Sequence, residues 1–283
     1  VIVVRTVADL RTALRESRAG RIGFVATMGA LHEGHASLLR AARADSDTVV
    51  MSIFVNPTQF DEQADLAAYP RTEEADLALA AAEGVDVVFA PSAGEMYPAG
   101  FATTVSVTGP VAETLEGAQR GRAHFDGVAT VVTKLLLAVL PDAAYFGAKD
   151  AQQVGVLRRL VADLNIPVQL VVCPTSRDDD GLARSSRNAR LGADERARAL
   201  AIPRALQEVA DASASGIRDP EVLRGRALDV LAEALIELEY IAIVDPVSFE
   251  PVAAVDGQAL VAIAARVGRT RLIDNTLLTP GGP

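Results

Sequence analysis

Apolar residues in this chain fall into short runs separated by stretches of helical periodicity. Residues 21–26 (RIGFVA) form a run of strand type that stops at Thr27-Met28-Gly29, and residues 36–44 then show helical spacing with good helix formers. Residues 49–55 (VVMSIFV) are β-branched and apolar on both faces and close at Asn56-Pro57, where proline offers no donor for pairing. That pattern predicts a central parallel strand. Residues 72–82 predict a helix with Glu73 and Glu74 in its first turn, and residues 85–89 another strand. The alternation continues with a buried helix over 127–140, a strand over 143–146, a helix over 151–164 and a strand over 168–173. Strands alternating with helices predict an α/β fold, a doubly wound parallel sheet built from right-handed crossovers. Beyond Pro174 the character changes to Arg177-Asp178-Asp179-Asp180-Gly181, two Ala-rich helical stretches (193–214 and 219–236) and three short strands (239–244, 260–267 and 270–273). Helices first and strands later predict a smaller C-terminal α+β domain, so the expected division is 1–175 and 176–283. No internal repeat and no low-complexity linker interrupts the chain.

Composition narrows the function. Half of the 283 residues are hydrophobic and 23% are charged, an ordinary globular balance that excludes disorder and a disulfide scaffold. The 37 acidic and 27 basic residues leave a net charge of −10, which disfavours nucleic-acid backbone binding without excluding an anionic ligand in a concave site. Cys173 stands alone, so no intrachain disulfide is possible and a cytoplasmic location is expected. No apolar run reaches the roughly 18 residues of a membrane span, and the first residues lack a basic-then-apolar leader pattern, so a soluble, unexported chain is expected. Only Lys134 and Lys149 are lysine, the other 25 positive charges being arginine. A lysine retained in such a chain is a candidate for work that a planar guanidinium does not do. Lys134, inside an apolar helix, reads as structural.

The loop Thr27-Met28-Gly29-Ala30-Leu31-His32-Glu33-Gly34-His35 follows the first good strand, at the sheet edge where doubly wound folds bind ligands. Gly29 and Gly34 permit close backbone approach, and the helix opening near His35 would offer amides to an anion. Two imidazoles there could hold and neutralise a phosphate, whereas a single histidine would read as an ordinary loop residue. Asn56 and Gln59 follow a buried strand and would face the same crevice, where amides suit the hydroxyls and carboxylate of a small polar acid. Tyr69 either closes that pocket or packs as core. Lys149 and Asp150, just past a strand, fit phosphate and ribose contacts or an ordinary surface pair. Ser185-Ser186-Arg187 could cover phosphates or simply cap a turn. Residues 61–68, polar and Ala-rich, are a candidate flap over a water-sensitive intermediate, or the start of a surface helix.

His-x-Gly-His resembles the signature of the nucleotidylyltransferase superfamily, and the longer string from Thr27 to His35 resembles one branch of it, the pantothenate synthetase family. Four further blocks resemble that family in order: Phe54-Val55-Asn56-Pro57-Thr58-Gln59-Phe60; Tyr69-Pro70-Arg71; Tyr145-Phe146-Gly147-Ala148-Lys149-Asp150-Ala151-Gln152-Gln153; and Gly181-Leu182-Ala183-Arg184-Ser185-Ser186-Arg187-Asn188. The resemblance covers most of the chain. It implies a Rossmann-like sheet and an ATP-dependent ligase that joins pantoate to β-alanine through a pantoyl adenylate, releasing pyrophosphate and AMP, with magnesium carried by ATP rather than by a protein site. It implies His35 as the catalytic histidine, with His32 and Lys149 beside it on the phosphates. Met28, Gly29, Gly147, Asp150, the backbone of Ser176, Arg184, Ser185, Ser186 and Arg187 complete the implied ATP contacts. Gln59, Gln153, Asn56 and Tyr69 would hold pantoate, with Gln59 also next to β-alanine. A homodimer and a C-terminal lid hinged near residue 175 are implied as well. Departures are recorded at Ala26 for a usual Pro, Ala148 for Glu, Ala151 for an aromatic and Arg184 for Met or Leu. The segment Arg120-Gly121-Arg122-Ala123-His124-Phe125 is one residue longer than the family's, so either Arg120 or Arg122 corresponds to its arginine, and His124 is an outer candidate. Two competing functions stay in view: a sister nucleotidylyltransferase that leaves the nucleotide on its product, and a non-catalytic ATP-binding regulator.

Overall fold

Six strands pair in parallel in the first part of the chain: β1 (Ile2–Val4), β2 (Ile22–Thr27), β3 (Thr48–Ile53), β4 (Val87–Phe89), β5 (Ala143–Gly147) and β6 (Gln169–Cys173). They lie in the order β1-β4-β3-β2-β5-β6. The doubly sided apolar pattern of β3 is answered by complete burial of Val49, Val50 and Met51, with β2 and β4 as its neighbours. The helix Glu33–Asp45 turns Leu39 and Ala42 into the core formed with Val25, Met51 and Tyr145. The computed structural model describes residues 1–60 and 63–279. It divides into two compact units, Val1–Ala148 with Val156–Pro174 and Lys149–Gly155 with Thr175–Pro283.

The second unit holds an antiparallel sheet of β7 (Glu237–Val244), β8 (Ala259–Val267) and β9 (Thr270–Leu278), paired in that order. The helices Ala201–Ala214 and Pro220–Glu233 supply Ile202, Leu206, Val209, Leu223 and Leu231 to a core shared with Val261, Ile263 and Val267. The α/β class with a separate small α+β part is as the sequence predicts.

Several elements differ in detail. β9 runs to Leu278 rather than 273, because β8 pairs along its whole length and Asp274, which reads as a loop residue, is buried against Arg177. The helix expected from residue 127 begins at Arg122, since Gly121 at φ +77° ends the preceding helix Leu115–Arg120 and opens the next. The stretch 193–214 is two helices, Ala193–Ala199 and Ala201–Ala214, meeting at Leu200. β1, three residues long, and the seven-residue helix Val7–Ala13 are too short to register as periodicity. Ile2 and Val3 are exposed on the sheet's edge, and the helix is started by Thr6, whose hydroxyl accepts from the Asp9 amide.

The strand order fixes where a ligand can enter the first unit. The chain leaves β2 for β3 on one side and later places β5 on the other, so the crevice of the doubly wound fold opens at the carboxyl ends of β2 and β5. Thr27-Met28-Gly29 and Gly147 stand at those two ends.

Candidate functional site

The loop after β2 is shaped by its own hydrogen bonds. Gly29 and Ala30 adopt φ of +80° and +50°, a left-handed pair that costs energy at the alanine. A carboxylate on the helix Glu73–Ala82 holds them there: Asp76, 2% exposed, accepts from the Ala30 amide at 3.0 Å and the Leu31 amide at 2.7 Å, and from the Thr72 hydroxyl. A β-carbon at Gly29 would lie 2.9 Å from the Asp76 carboxylate, so only glycine fits. The sequence pattern singles out Glu73 and Glu74 in that helix and not Asp76. The one signal at Asp76 is an acid on the apolar face of an amphipathic helix.

His32 then caps the helix Glu33–Asp45, its Nδ1 accepting from the Gly34 amide at 3.1 Å. His35 reaches back, its Nδ1 accepting from the His32 amide at 3.2 Å. The rings lie 4.1 Å apart at 44°. Because both Nδ1 atoms accept from amides, each neutral ring carries its proton on Nε2. Burial, with His32 adding to it, lowers the His35 pKa from 6.5 to about 3. His35 is therefore uncharged at neutral pH, and the neutralising charge expected of it becomes hydrogen-bond donation. The helix end also differs from expectation. The Gly34 amide donates to His32 Nδ1 and the His35 amide to the His32 carbonyl, so amides expected for an anion serve the cap.

This sets a pH signature. The unfolded chain binds the His35 proton first as pH falls, so stability from the neutral ring is complete above about 6.5 and is lost as pH falls toward 3. The imidazole 15N shifts of His35 are expected to report the Nε2–H tautomer unchanged from pH 8 to pH 5. An imidazolium spectrum at pH 6 would contradict the geometry.

A second cluster in the same unit surrounds the two amides after β3. Asn56, 1% exposed, donates from Nδ2 to Gln59 Oε1 at 3.0 Å and to the Gly127 carbonyl at 3.1 Å. Gln59 Nε2 donates toward Met28 Sδ at 3.3 Å. The Gln59 carbonyl lies 2.9 Å from His124 Nδ1 and accepts from Arg120 Nη2 at 3.4 Å, while Arg122 is outside this group, 3.8 Å from Asp126. Tyr97, which no sequence motif marks, donates to Asn56 Oδ1 at 2.7 Å. Tyr69 is buried edge-on against Phe60, ring centroids 5.7 Å apart. Of the candidate flap, Asp61 and Glu62 lie outside the described residues, and Gln63–Ala68 is a helix. The turn that carries Gln59 packs on the helix Arg122–Val139 at Gly127, where a β-carbon would run into the Thr58 carbonyl and lie 2.9 Å from the Gln59 amide. Gly127→Ala is expected to cost about 1–3 kcal/mol, read as a lowered denaturant midpoint. An unchanged midpoint would mean that the turn shifts freely.

The remaining candidates belong to the second unit. Lys149 sits in a 3-10 turn, its Nζ 3.8 Å from Asp150 and its carbonyl held by Asn275 Nδ2 at 2.7 Å. Gln153 is half-buried on the helix Ala151–Asp163. Ser185 caps the turn Ser186–Arg190, its hydroxyl accepting from the Arg187 amide. Arg184 donates to Asp178 at 2.8 Å and to the Ser176 hydroxyl at 3.4 Å, and its amide donates to the Ser176 carbonyl. Arg196 closes the set on Asp178 and Asp180, and the two guanidiniums hold the Asp178 carboxyl below the usual range. Among the described residues no three His, Cys, Asp or Glu side chains converge as a metal cage, and no helix is long and apolar enough to cross a membrane.

A pair of imidazoles on a glycine loop, one of them held neutral by burial, at the switch point of a parallel sheet, defines a nucleotide-binding α/β protein of the His-x-Gly-His nucleotidylyltransferase type. The Pantoate-beta-alanine ligase family model matches residues 2–277. A pantothenate synthetase of Roseiflexus sp. is 51% identical over 277 residues, covering 98% of this chain and 99% of that protein. The crystal structure of a pantothenate synthetase from Thermus thermophilus superposes with a TM-score of 0.93 at 46% identity, covering 98% and 99% of the two chains. A pantoate-beta-alanine ligase from Francisella tularensis, complexed with beta-gamma ATP and beta-alanine, superposes at 0.81 with 35% identity, covering 98% and 97%. The chain belongs to the pantoate-beta-alanine ligase family and is an enzyme of that ligase class.

Proposed function

We propose that this chain joins pantoate to β-alanine in two steps driven by ATP. The pantoate carboxylate attacks the α-phosphorus of Mg-ATP in line, the bond to the β-phosphate oxygen breaks, and pyrophosphate leaves. The amine of β-alanine then attacks the acyl carbon of the pantoyl adenylate, AMP departs with the bonding pair, and the amine's surplus proton is lost as pantothenate forms. The Francisella relative's complex with beta-gamma ATP and beta-alanine supports the substrate pair.

The observation that carries the reading is the loop's hydrogen-bond pattern. The amides of Gly29, Ala30, Leu31, His32, Gly34 and His35 all have acceptors on Thr27, Asp76, His32 or His35. The donors assigned to the α-phosphate are therefore the Nε2–H groups of His35 and His32, prepositioned where negative charge builds during transfer. Met28 and Gly29 line the approach and Gly147 the neighbouring strand end. Lys149 is assigned to the phosphates as a point charge and Asp150 to the ribose hydroxyls. The Ser176 backbone is assigned to adenine, with Arg184 bracing that segment, and Ser185, Ser186 and Arg187 to the β and γ phosphates. Gln59, Gln153 and Tyr69 are assigned to pantoate, with Asn56 behind Gln59 orienting it. Magnesium enters as part of the ATP substrate. Cys173 is buried, which pushes its thiol pKa up and makes it a poor nucleophile. A cytoplasmic homodimer completes the proposal, and sedimentation tests the dimer.

The test is exchange of labelled pyrophosphate into ATP. Exchange that requires pantoate and proceeds without β-alanine, followed by AMP release once β-alanine is added, is the expected result. No exchange despite measurable ATP binding would overturn the two-step reading, and a product retaining the nucleotide would favour a sister nucleotidylyltransferase.

A further inference from the structure

We propose that Tyr97 is a positioning residue for the acid substrate, acting through Asn56 so that Gln59 presents its amide NH2 and thereby selects an oxygen acceptor. The inference rests on the assignment of Asn56 and Gln59 to the pantoate side. The orientation of a side-chain amide is fixed by its partners, and here they are unambiguous. Asn56 Oδ1 receives the Tyr97 phenol at 2.7 Å, the Thr58 hydroxyl at 2.9 Å and the Thr58 amide at 3.3 Å. Asn56 Nδ2 faces two acceptors, the Gly127 carbonyl and Gln59 Oε1. Reversing this amide would set Oδ1 against the Gly127 carbonyl and Nδ2 against the Thr58 amide N–H in a buried position, so the arrangement has one state. Gln59 inherits it. Its Oε1 is taken by Asn56, which leaves Nε2 as the polar group it shows to a ligand.

That NH2 donates toward Met28 Sδ at 3.3 Å, a weak acceptor. A carboxylate or hydroxyl oxygen replaces the thioether with a gain in hydrogen-bond strength, whereas an amine or an apolar group does not. The preference of the site for a hydroxy acid over an amine of similar size follows from the orientation that Tyr97, Thr58 and the Gly127 carbonyl together impose on Asn56. Tyr97 is itself held by its ring. It packs edge-on to Phe101 at 5.1 Å and tilted to Phe54 at 6.2 Å, and the Lys134 ammonium stands 4.7 Å from the Phe101 centroid and 6.0 Å from that of Tyr97. Burial pushes the phenol pKa up, so the group remains a donor through the neutral range.

The experiment is pantoate-dependent pyrophosphate exchange by the full chain, with pantoate and ATP varied in turn, for wild type, Tyr97→Phe, Gln59→Ala and the double variant. Tyr97→Phe is expected to raise KM for pantoate by about fivefold to tenfold, the scale of one hydrogen bond, with KM for ATP unchanged and the melting temperature lowered by only about 2–4 °C. In the Gln59→Ala background the same change is expected to add nothing, because Tyr97 acts through Gln59. An unchanged KM for pantoate would overturn the proposal, as would an equal effect of Tyr97→Phe in both backgrounds. A parallel rise in both KM values would assign Tyr97 to the scaffold alone. If Gln59→Ala itself leaves KM for pantoate unchanged, the assignment of Gln59 fails and the proposal falls with it. Should Tyr97→Phe fold poorly, Thr58→Val removes another donor from Asn56, along with the 3.3 Å contact of that hydroxyl with the Tyr97 phenol, while keeping every aromatic ring, and is read the same way.

Discussion

His35→Ala is expected to lower pantoate-dependent pyrophosphate exchange by about 10²–10³-fold, the loss that follows removal of one preorganised donor from a developing oxyanion. The imidazole has two jobs that this change removes together. Its Nδ1 accepts from the His32 amide and helps build the helix cap, while its Nε2–H is the donor assigned to the α-phosphate. His35→Asn separates them, because the asparagine carbonyl can stand near the Nδ1 position and accept from the same amide without supplying the distant donor. Exchange is expected to collapse in both variants, with the melting temperature falling more in His35→Ala. Recovery of exchange in His35→Asn would mean that the cap, rather than the donor, is what the reaction needs. Since the ring is uncharged at neutral pH, exchange between pH 6 and pH 8 should show no inflection traceable to His35.

The second large effect is expected at Asp76, which touches no substrate in this account. Asp76→Ala leaves the Ala30 and Leu31 amides without acceptors inside the protein, at about 1–3 kcal/mol for each such loss. It also releases the left-handed φ at Gly29 and Ala30, on which the placement of the histidine pair depends. A fall of about 3 kcal/mol in unfolding free energy is expected, together with a drop of about tenfold to a hundredfold in exchange, since small misplacements of a donor cost rate steeply. Asp76→Asn is expected to be nearly as damaging, because its single carbonyl oxygen serves one amide and turns N–H groups toward the other. Denaturant unfolding and exchange measured on the same samples check both parts. A destabilised variant with full exchange would separate the carboxylate from the reaction.

How far the sequence carries depends on what each residue answers to. Val49 to Met51 announce a central strand because burial on both faces demands apolar residues at every position, and the sheet is legible from such runs. The histidine loop is legible because few loops place two imidazoles about a glycine, and the later blocks repeat the message in order. Asp76 and Tyr97 are not legible. A carboxylate on a helix and a tyrosine before a proline are ordinary residues in sequence, and their partners lie 45 and 41 positions away. Which of Arg120 and Arg122 approaches Gln59 likewise awaits the fold, as Gly121 at φ +77° sends the two in different directions.

The α/β class, the position of the glycine loop after the first good strand, and the residue types available for phosphate and for a small acid are all legible along the chain. These follow from local rules, in which the period of burial and the geometry of glycine and proline act over a few residues. The order β1-β4-β3-β2-β5-β6, the neutral state of His35, the diversion of loop amides to Asp76 and the helix cap, and the chain from Tyr97 through Asn56 to Gln59 emerge only in the folded protein. Each is set by desolvation or by hydrogen bonds between segments far apart in the chain, and such bonds exist only after the sheet has brought those segments together.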